Sequence, residues 1–150
     1  MPAARLARAA DLPSLLALFA VSEVSKTADP PARAEAIWRE TLAQPGLFVF
    51  VSEEAGRIAA TCLLVTAPNL LRTGRRHGFL ENVATHPDCQ GRGHGKAVVS
   101  AALALAWSVD CHHVLMQSGR ADKRVHEFYE SLGFRPGLRT AYVAHRPATP

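Results

Sequence analysis

Gln90-Gly91-Arg92-Gly93-His94-Gly95-Lys96 places three glycines at alternate positions. The run lies between an apolar stretch that reads as a strand, Phe79 to Thr85, and an Ala/Val/Leu stretch that reads as a helix, Lys96 to Val109. Glycine tolerates left-handed backbone and lets a ligand approach the main chain closely, at roughly 0.5–1 kcal/mol of entropy each relative to alanine. A plain turn would not need three of them. The helix that follows offers unpaired N–H groups and the positive end of its dipole, which together suit a phosphate or pyrophosphate.

Two familiar phosphate-binding patterns fail on specific residues. A dinucleotide fingerprint requires G-x-G-x-x-G, and here the third glycine, Gly95, arrives one place early. Asp110, the acidic residue about 20 positions further on, closes a helix instead of ending a strand. A P-loop requires G-x-x-x-x-G-K-[ST], but Gly95-Lys96 is followed by Ala97, so the magnesium-binding hydroxyl is missing and the glycine spacing is short.

The rest of the chain reads as one domain over residues 1–150 without repeats or a dividing linker. Asp11-Leu12-Pro13 opens a helix, with Asp11 as its cap and Leu15, Leu16, Leu18 and Phe19 on its apolar face. Asp29-Pro30-Pro31 opens a second helix carrying Ala34, Ile37, Trp38 and Leu42, and Pro45-Gly46 stops it. Leu47 to Ser52 and Ile58 to Thr66 form a hairpin around a Glu53-Glu54-Ala55-Gly56 turn. Pro68 to Arg76 is a loop, and His86-Pro87-Asp88 ends the next strand. The helix after the glycines is apolar nearly all round, which suggests burial against a sheet. Val114-Leu115-Met116 reads as a short buried strand. Asp122 caps a last helix with Val125, Phe128 and Leu132 inward, Gly133 takes the left-handed position at its end and Phe134 folds back onto it. Thr140 to Ala144 reads as a final strand.

Apolar residues at 48% support a core, and charged residues at 20% support solubility. No apolar run approaches the roughly 18 residues of a membrane span. Asp11 precedes any long apolar stretch, so the start makes a poor secretion signal. Three cysteines, Cys62, Cys89 and Cys111, do not make a disulfide framework; the cytoplasm is the expected compartment. Cys111-His112-His113 has no second cluster at ligand spacing, so no metal site is expected. The net charge of +4 concentrates in Arg72-Arg75-Arg76, Arg92-Lys96 and Arg120-Lys123-Arg124. These are either solvated loops or contacts to an anionic ligand. Nucleic acid is disfavoured, because the basic groups are not interleaved with aromatics and no helix-turn-helix, zinc-finger or RRM pattern is present.

Gln90-Gly91-Arg92-Gly93-His94-Gly95 fits the pattern Q/R-x-x-G-x-G/A and resembles the acetyl-CoA signature of the GNAT superfamily of N-acetyltransferases. Leu80 to Pro87 resembles the family's fourth strand. Phe128-Tyr129-Glu130-Ser131-Leu132-Gly133-Phe134 resembles its second signature, and Arg8 to Leu12 its first helix start. The resemblance covers nearly the whole chain and leans toward the branch acting on small amines and amino-sugar phosphates. It implies an α/β (α+β) fold with a mixed, mostly antiparallel central sheet, splayed at the acetyl-CoA groove and flanked by helices. It also implies acetyl-CoA as donor, a primary amine of a small molecule as acceptor, direct transfer and a homodimer.

Site residues follow from the same resemblance. The N–H groups of Gly91 to Lys96 cradle the pyrophosphate, with Gln90, Arg92, His94 and Lys96 beside it; exposed backbone near Val83, Ala84 and Thr85 pairs with the pantetheine arm as an added strand would. The Val83 N–H is the oxyanion donor and Tyr129 the acid at the thioester sulfur. Glu81 is the candidate base, directly or through water, against the alternative of a plain strand residue; His126 is its rival. Asp122 stands where many members have Asn, so it accepts a hydrogen bond from the cofactor where they donate one. Two other readings stay open: a non-catalytic acyl-CoA-binding or regulatory domain on the same fold, and a protein or peptide N-acetyltransferase. The arginines of the Pro68 to Arg76 loop suit an anionic acceptor or face solvent.

Overall fold

The computed structural model describes residues 1–149, and the chain divides into two compact units, Met1–Met116 and Gln117–Pro150. The first contains β1 (Arg5–Leu6), α1 (Leu12–Val21), α2 (Pro31–Ala43), β2 (Leu47–Glu54), β3 (Arg57–Ala67), β4 (His77–Thr85) and α3 (His94–Ser108). The four strands form one sheet in the order β1-β2-β3-β4, each pair antiparallel.

The two sheet faces follow from strand alternation. On one, Val51, Ile58 and Ala84 meet Leu15 and Leu18 of α1 and Trp38 of α2. The Trp38 indole donates to the Ala9 carbonyl at 3.1 Å, so its polar end is satisfied. On the other face lies α3, whose Val98, Val99, Ala102 and Ala106 are fully buried. The two alanines allow the helix close to the sheet, where the Cys62 thiol donates to the Val98 carbonyl at 3.4 Å. α3 is buried against the sheet along one stripe, as its apolar sequence suggested, and Trp107, 53% exposed, lies outside that stripe.

Several boundaries differ from the sequence expectations. β2 runs on through Glu53 and Glu54, and the hairpin turn is only Ala55-Gly56, both with positive φ (50° and 76°). That is the two-residue turn whose twist suits a hairpin. α3 begins at His94, two residues earlier than expected. Asp11 does not cap α1 with its side chain; it accepts two hydrogen bonds from Arg5, at 2.8 and 2.9 Å, and one from the Arg8 N–H at 2.6 Å. The stronger, charged partner has captured the carboxylate and ties β1 to the helix start.

Val114 to Met116 is not a buried strand. The segment touches β4 through one isolated parallel bridge, Phe79↔Leu115, with a second, Arg76↔Cys111, just ahead of both, and Leu115 is 37% exposed. Gly78 makes even this approach possible: a Cβ there would stand 2.8 Å from the His113 carbonyl oxygen.

The second unit holds α4 (Lys123–Ser131). Asp122 caps it as expected, accepting from the Arg124 N–H at 2.9 Å. Gly133, at φ +94°, donates to the Glu130 carbonyl at 3.0 Å, and Phe134 donates to the Tyr129 carbonyl at 3.2 Å. That pair of bonds is a Schellman ending, and it carries the expected fold-back of Phe134. Thr140 to Ala144 forms no strand, and Tyr142 is 89% exposed. Its alternating pattern has no ladder neighbour among the described residues of this unit, and an unpaired strand is not stable alone.

Candidate functional site

Within Met1–Met116 the site residues fall along β4 and the turn that follows it. β4 is interrupted where Thr61 faces Ala84 but Leu63 faces Glu81. Asn82 and Val83 therefore share one opposite residue, Cys62. Asn82 takes φ +52°, a left-handed conformation that asparagine tolerates better than most. Such a bulge removes one residue's N–H and C=O from the ladder and re-aims the strand.

The outer edge of β4 is paired only at its start. Leu115 donates to Gly78 and Leu80 donates to Leu115, each at 2.9 Å. From Glu81 to Thr85, no strand covers that edge among the described residues. This is the splay expected beside Val83, Ala84 and Thr85, and the bulge is its local cause. Glu81 is exposed there.

Beyond β4 the chain turns through Pro87–Cys89 into the glycine stretch. Gly91 and Gly93 have φ of +73° and +89°, and Gly93 is the residue preceding α3. The first backbone bond of the helix is Ala97 N–H to the Gly93 carbonyl at 2.9 Å. The N–H groups of His94, Gly95 and Lys96 thus lie ahead of the ladder, in the region of the helix's positive end. The first turn has no acidic residue. Arg92 and Lys96 are exposed beside it and add positive charge where the dipole already supplies some. The arrangement is unfavourable alone and favourable to an anion.

His94 is the exception among the expected ligand contacts. Its ring is 4% exposed, with Nδ1 2.8 Å from Ser52 Oγ and Nε2 3.6 Å from Glu54 Oε1. It turns under the helix to β2, so its side chain does not meet a phosphate on the outside; only its main chain is available there. Glu54 also accepts from the Cys89 thiol at 3.3 Å and pairs with Arg92 at 2.5 Å. The thiol's hydrogen bond, with Arg92 and His94 nearby, holds the Glu54 carboxyl below its ordinary value. Ser52, Glu54 and Cys89 were not singled out from sequence. The available signal was two polar residues on the α3 face of an otherwise apolar strand, at i and i+2.

The cysteines are free and buried. Burial pushes the Cys62 thiol up to about 12 and raises that of Cys111. No group of three or more His, Cys, Asp or Glu side chains able to hold a metal occurs among the described residues.

Within Gln117–Pro150, Tyr129 is half-buried, with ring centroids 5.0 Å from Phe128 and 5.8 Å from Phe134, both edge-on. The Arg124 guanidinium, hydrogen-bonded to Asp122, and the Arg124 N–H hold the Asp122 carboxyl below its usual range. His126 is exposed and donates from Nε2 to the Arg120 carbonyl at 2.7 Å. No helix among the described residues is long and apolar enough to cross a membrane.

Residues 12–134 match the model of the acetyltransferase (GNAT) family. The chain belongs to the GNAT acetyltransferases, enzymes that take their acetyl group from acetyl-CoA. Among solved structures it is similar to a putative acetyltransferase from Agrobacterium tumefaciens str. C58, at 40% identity over 96% of this chain and 99% of that one, with a TM-score of 0.88. It is similar also to an acetyltransferase of Trypanosoma brucei, at 26% identity over 97% and 100% of the two chains, TM-score 0.80. Glucosamine-6-phosphate N-acetyltransferase from Arabidopsis thaliana shares the fold at 20% identity over 97% and 99%, TM-score 0.83. None of the curated proteins matches the chain. The structure and these likenesses bear out the expected fold: an antiparallel sheet between helices, with parallel bridges at its splayed edge.

Proposed function

We propose that this protein transfers the acetyl group of acetyl-CoA directly to a primary amine of a small molecule, and that residues 1–150 act as one catalytic domain. The observation that carries the reading is the union of the free β4 edge with the cationic N–H cradle that follows it. An open edge suits the amide-bearing pantetheine arm, and the cradle suits the pyrophosphate. The match to the family model across both compact units supports a single domain.

In this reading the amine nitrogen loses a proton to Glu81, through water given its exposure. It attacks the thioester carbonyl, whose oxygen takes charge beside the Val83 N–H. The C–S bond then breaks, and the thiolate takes a proton from Tyr129. Asp122 accepts a hydrogen bond from the cofactor. His126 is the rival base, with its Nε2–H directed at the Arg120 carbonyl. Direct transfer is supported by the cysteines: an acyl-cysteine route needs an accessible thiolate, and Cys62, beside the bulge, is 1% exposed with its thiol pushed up to about 12.

The small-amine acceptor is supported by the Arabidopsis thaliana relative, a glucosamine-6-phosphate enzyme by name. One feature favours a peptide acceptor as the second reading. Arg76, just ahead of β4, lies about 20 Å from Asn82 at the strand rise, and it lines one hollow with Leu70, which is 100% exposed. An acceptor reaching both points is longer than an amino-sugar phosphate. The homodimer rests on the family resemblance. The cytoplasm is supported by three unpaired cysteines.

The test is release of free thiol from acetyl-CoA in the presence of amino-sugar phosphates, polyamines, amino acids and peptides. Release dependent on a small amine supports the reading; release with peptides alone selects the second. Binding of acetyl-CoA without release across the whole panel returns the protein to a non-catalytic acyl-CoA-binding role.

A further inference from the structure

We propose that Glu54 is the positioning residue of the anion cradle: its carboxylate, at the end of β2, fastens the glycine turn in the shape that a pyrophosphate requires. The inference rests on the coenzyme A reading of that turn.

The turn has little to hold it in place. Gly91 has nothing within 4 Å of where a Cβ would stand, and both Gly91 and Gly93 sit in the left-handed region. Glycines have the most conformational freedom to lose, so an unsupported turn would charge its ordering against ligand affinity. Glu54 touches the chain before, within and after the two glycines. Its Oε2 accepts from Cys89 at 3.3 Å. Its Oε1 meets Arg92 at 2.5 Å and lies 3.6 Å from His94 Nε2. Ser52, on the same face of β2, holds the other His94 nitrogen at 2.8 Å. The β2 end, a rigid element, is thereby coupled to residues 89, 92 and 94. Arg92 remains 55% exposed while its guanidinium direction is fixed.

The sign of the electrostatics separates this role from an incidental one. A carboxylate beside an anion site repels the ligand, so charge alone predicts that its removal tightens binding. A positioning role predicts the reverse.

The test measures coenzyme A binding by calorimetry, with kcat at saturating acetyl-CoA, for wild type, Glu54→Gln and Glu54→Asp. Glu54→Gln removes the charge and keeps the length. Glu54→Asp keeps the charge and withdraws the oxygens by one methylene, and its modest size change keeps the test available if the first variant does not fold. We expect the dissociation constant to rise about tenfold in each, the loss of roughly one charge-assisted hydrogen bond, with kcat preserved. Tighter binding by Glu54→Gln, wild-type binding by Glu54→Asp, or a fall in kcat without a change in affinity overturns the proposal. Absence of coenzyme A binding by the wild-type protein overturns the underlying reading as well; wild-type binding with unaltered variants overturns the role of Glu54 alone.

Discussion

His94 Nδ1 lies 2.8 Å from the Oγ of Ser52, so the first residue of α3 is bonded to β2 at the point where the helix leaves the glycine turn. Both side chains are buried, at 4% and 1% exposure. Removing the hydroxyl leaves the imidazole nitrogen without a partner in a dry site. Ser52→Ala is expected to cost about 1–3 kcal/mol, read as a lower urea midpoint with an unchanged slope. An unchanged midpoint would show that the ring finds another partner.

Tyr129 is fixed by its neighbours independently of its hydroxyl: its carbonyl accepts from Phe134, and its ring meets Phe128 and Phe134 edge-on. Tyr129→Phe keeps all of these. As the proton donor to the leaving thiolate it should cost about 100-fold in kcat, while the dissociation constant for acetyl-CoA holds. Full activity in the variant would remove Tyr129 from the mechanism.

Asp11 supplies a pH dependence of stability. The hydrogen bonds from Arg5, then that from the Arg8 N–H, hold its carboxyl below the ordinary value. With the folded-state pKa depressed, the stabilisation is in force above the unfolded value of about 3.9 and drains away as pH falls through the lower folded value. Asp11→Asn should therefore be less stable than wild type by about 2 kcal/mol near neutrality. The gap should close as the pH falls below the depressed folded-state value. Urea melts across that range check it, and a gap independent of pH would contradict it.

What the sequence made readable was local. The glycine turn, the Asp122 cap and the Gly133-Phe134 ending each depend on residues within a few positions of one another, and each stands where the residues placed it. The parts that escaped depend on distant partners. Asp11 looked like a helix cap because Arg5 was not known to face it. Glu54 looked like a turn residue because Glu-Glu-Ala-Gly carries no sign of the helix end above it. Val114 to Met116 and Thr140 to Ala144 have strand-like patterns, yet a ladder needs a neighbour: the first finds a single bridge, Phe79↔Leu115, and the second finds none among the described residues of its own unit. His94 was assigned outward from its place in the motif; only the buried polar face of β2, formed by Ser52 and Glu54, explains why the ring turns inward.

The central claim is that the Gly91 to Lys96 turn holds the pyrophosphate of coenzyme A. Gly93 has φ +89°, a backbone conformation that L side chains rarely adopt, so an indole at this position strains the turn that presents the cradle. Calorimetric titration of coenzyme A into wild-type protein and into Gly93→Trp is the direct measurement. The account predicts saturable binding by the wild type and none by the variant. Equal affinity in the two would place the pyrophosphate elsewhere and contradict the account.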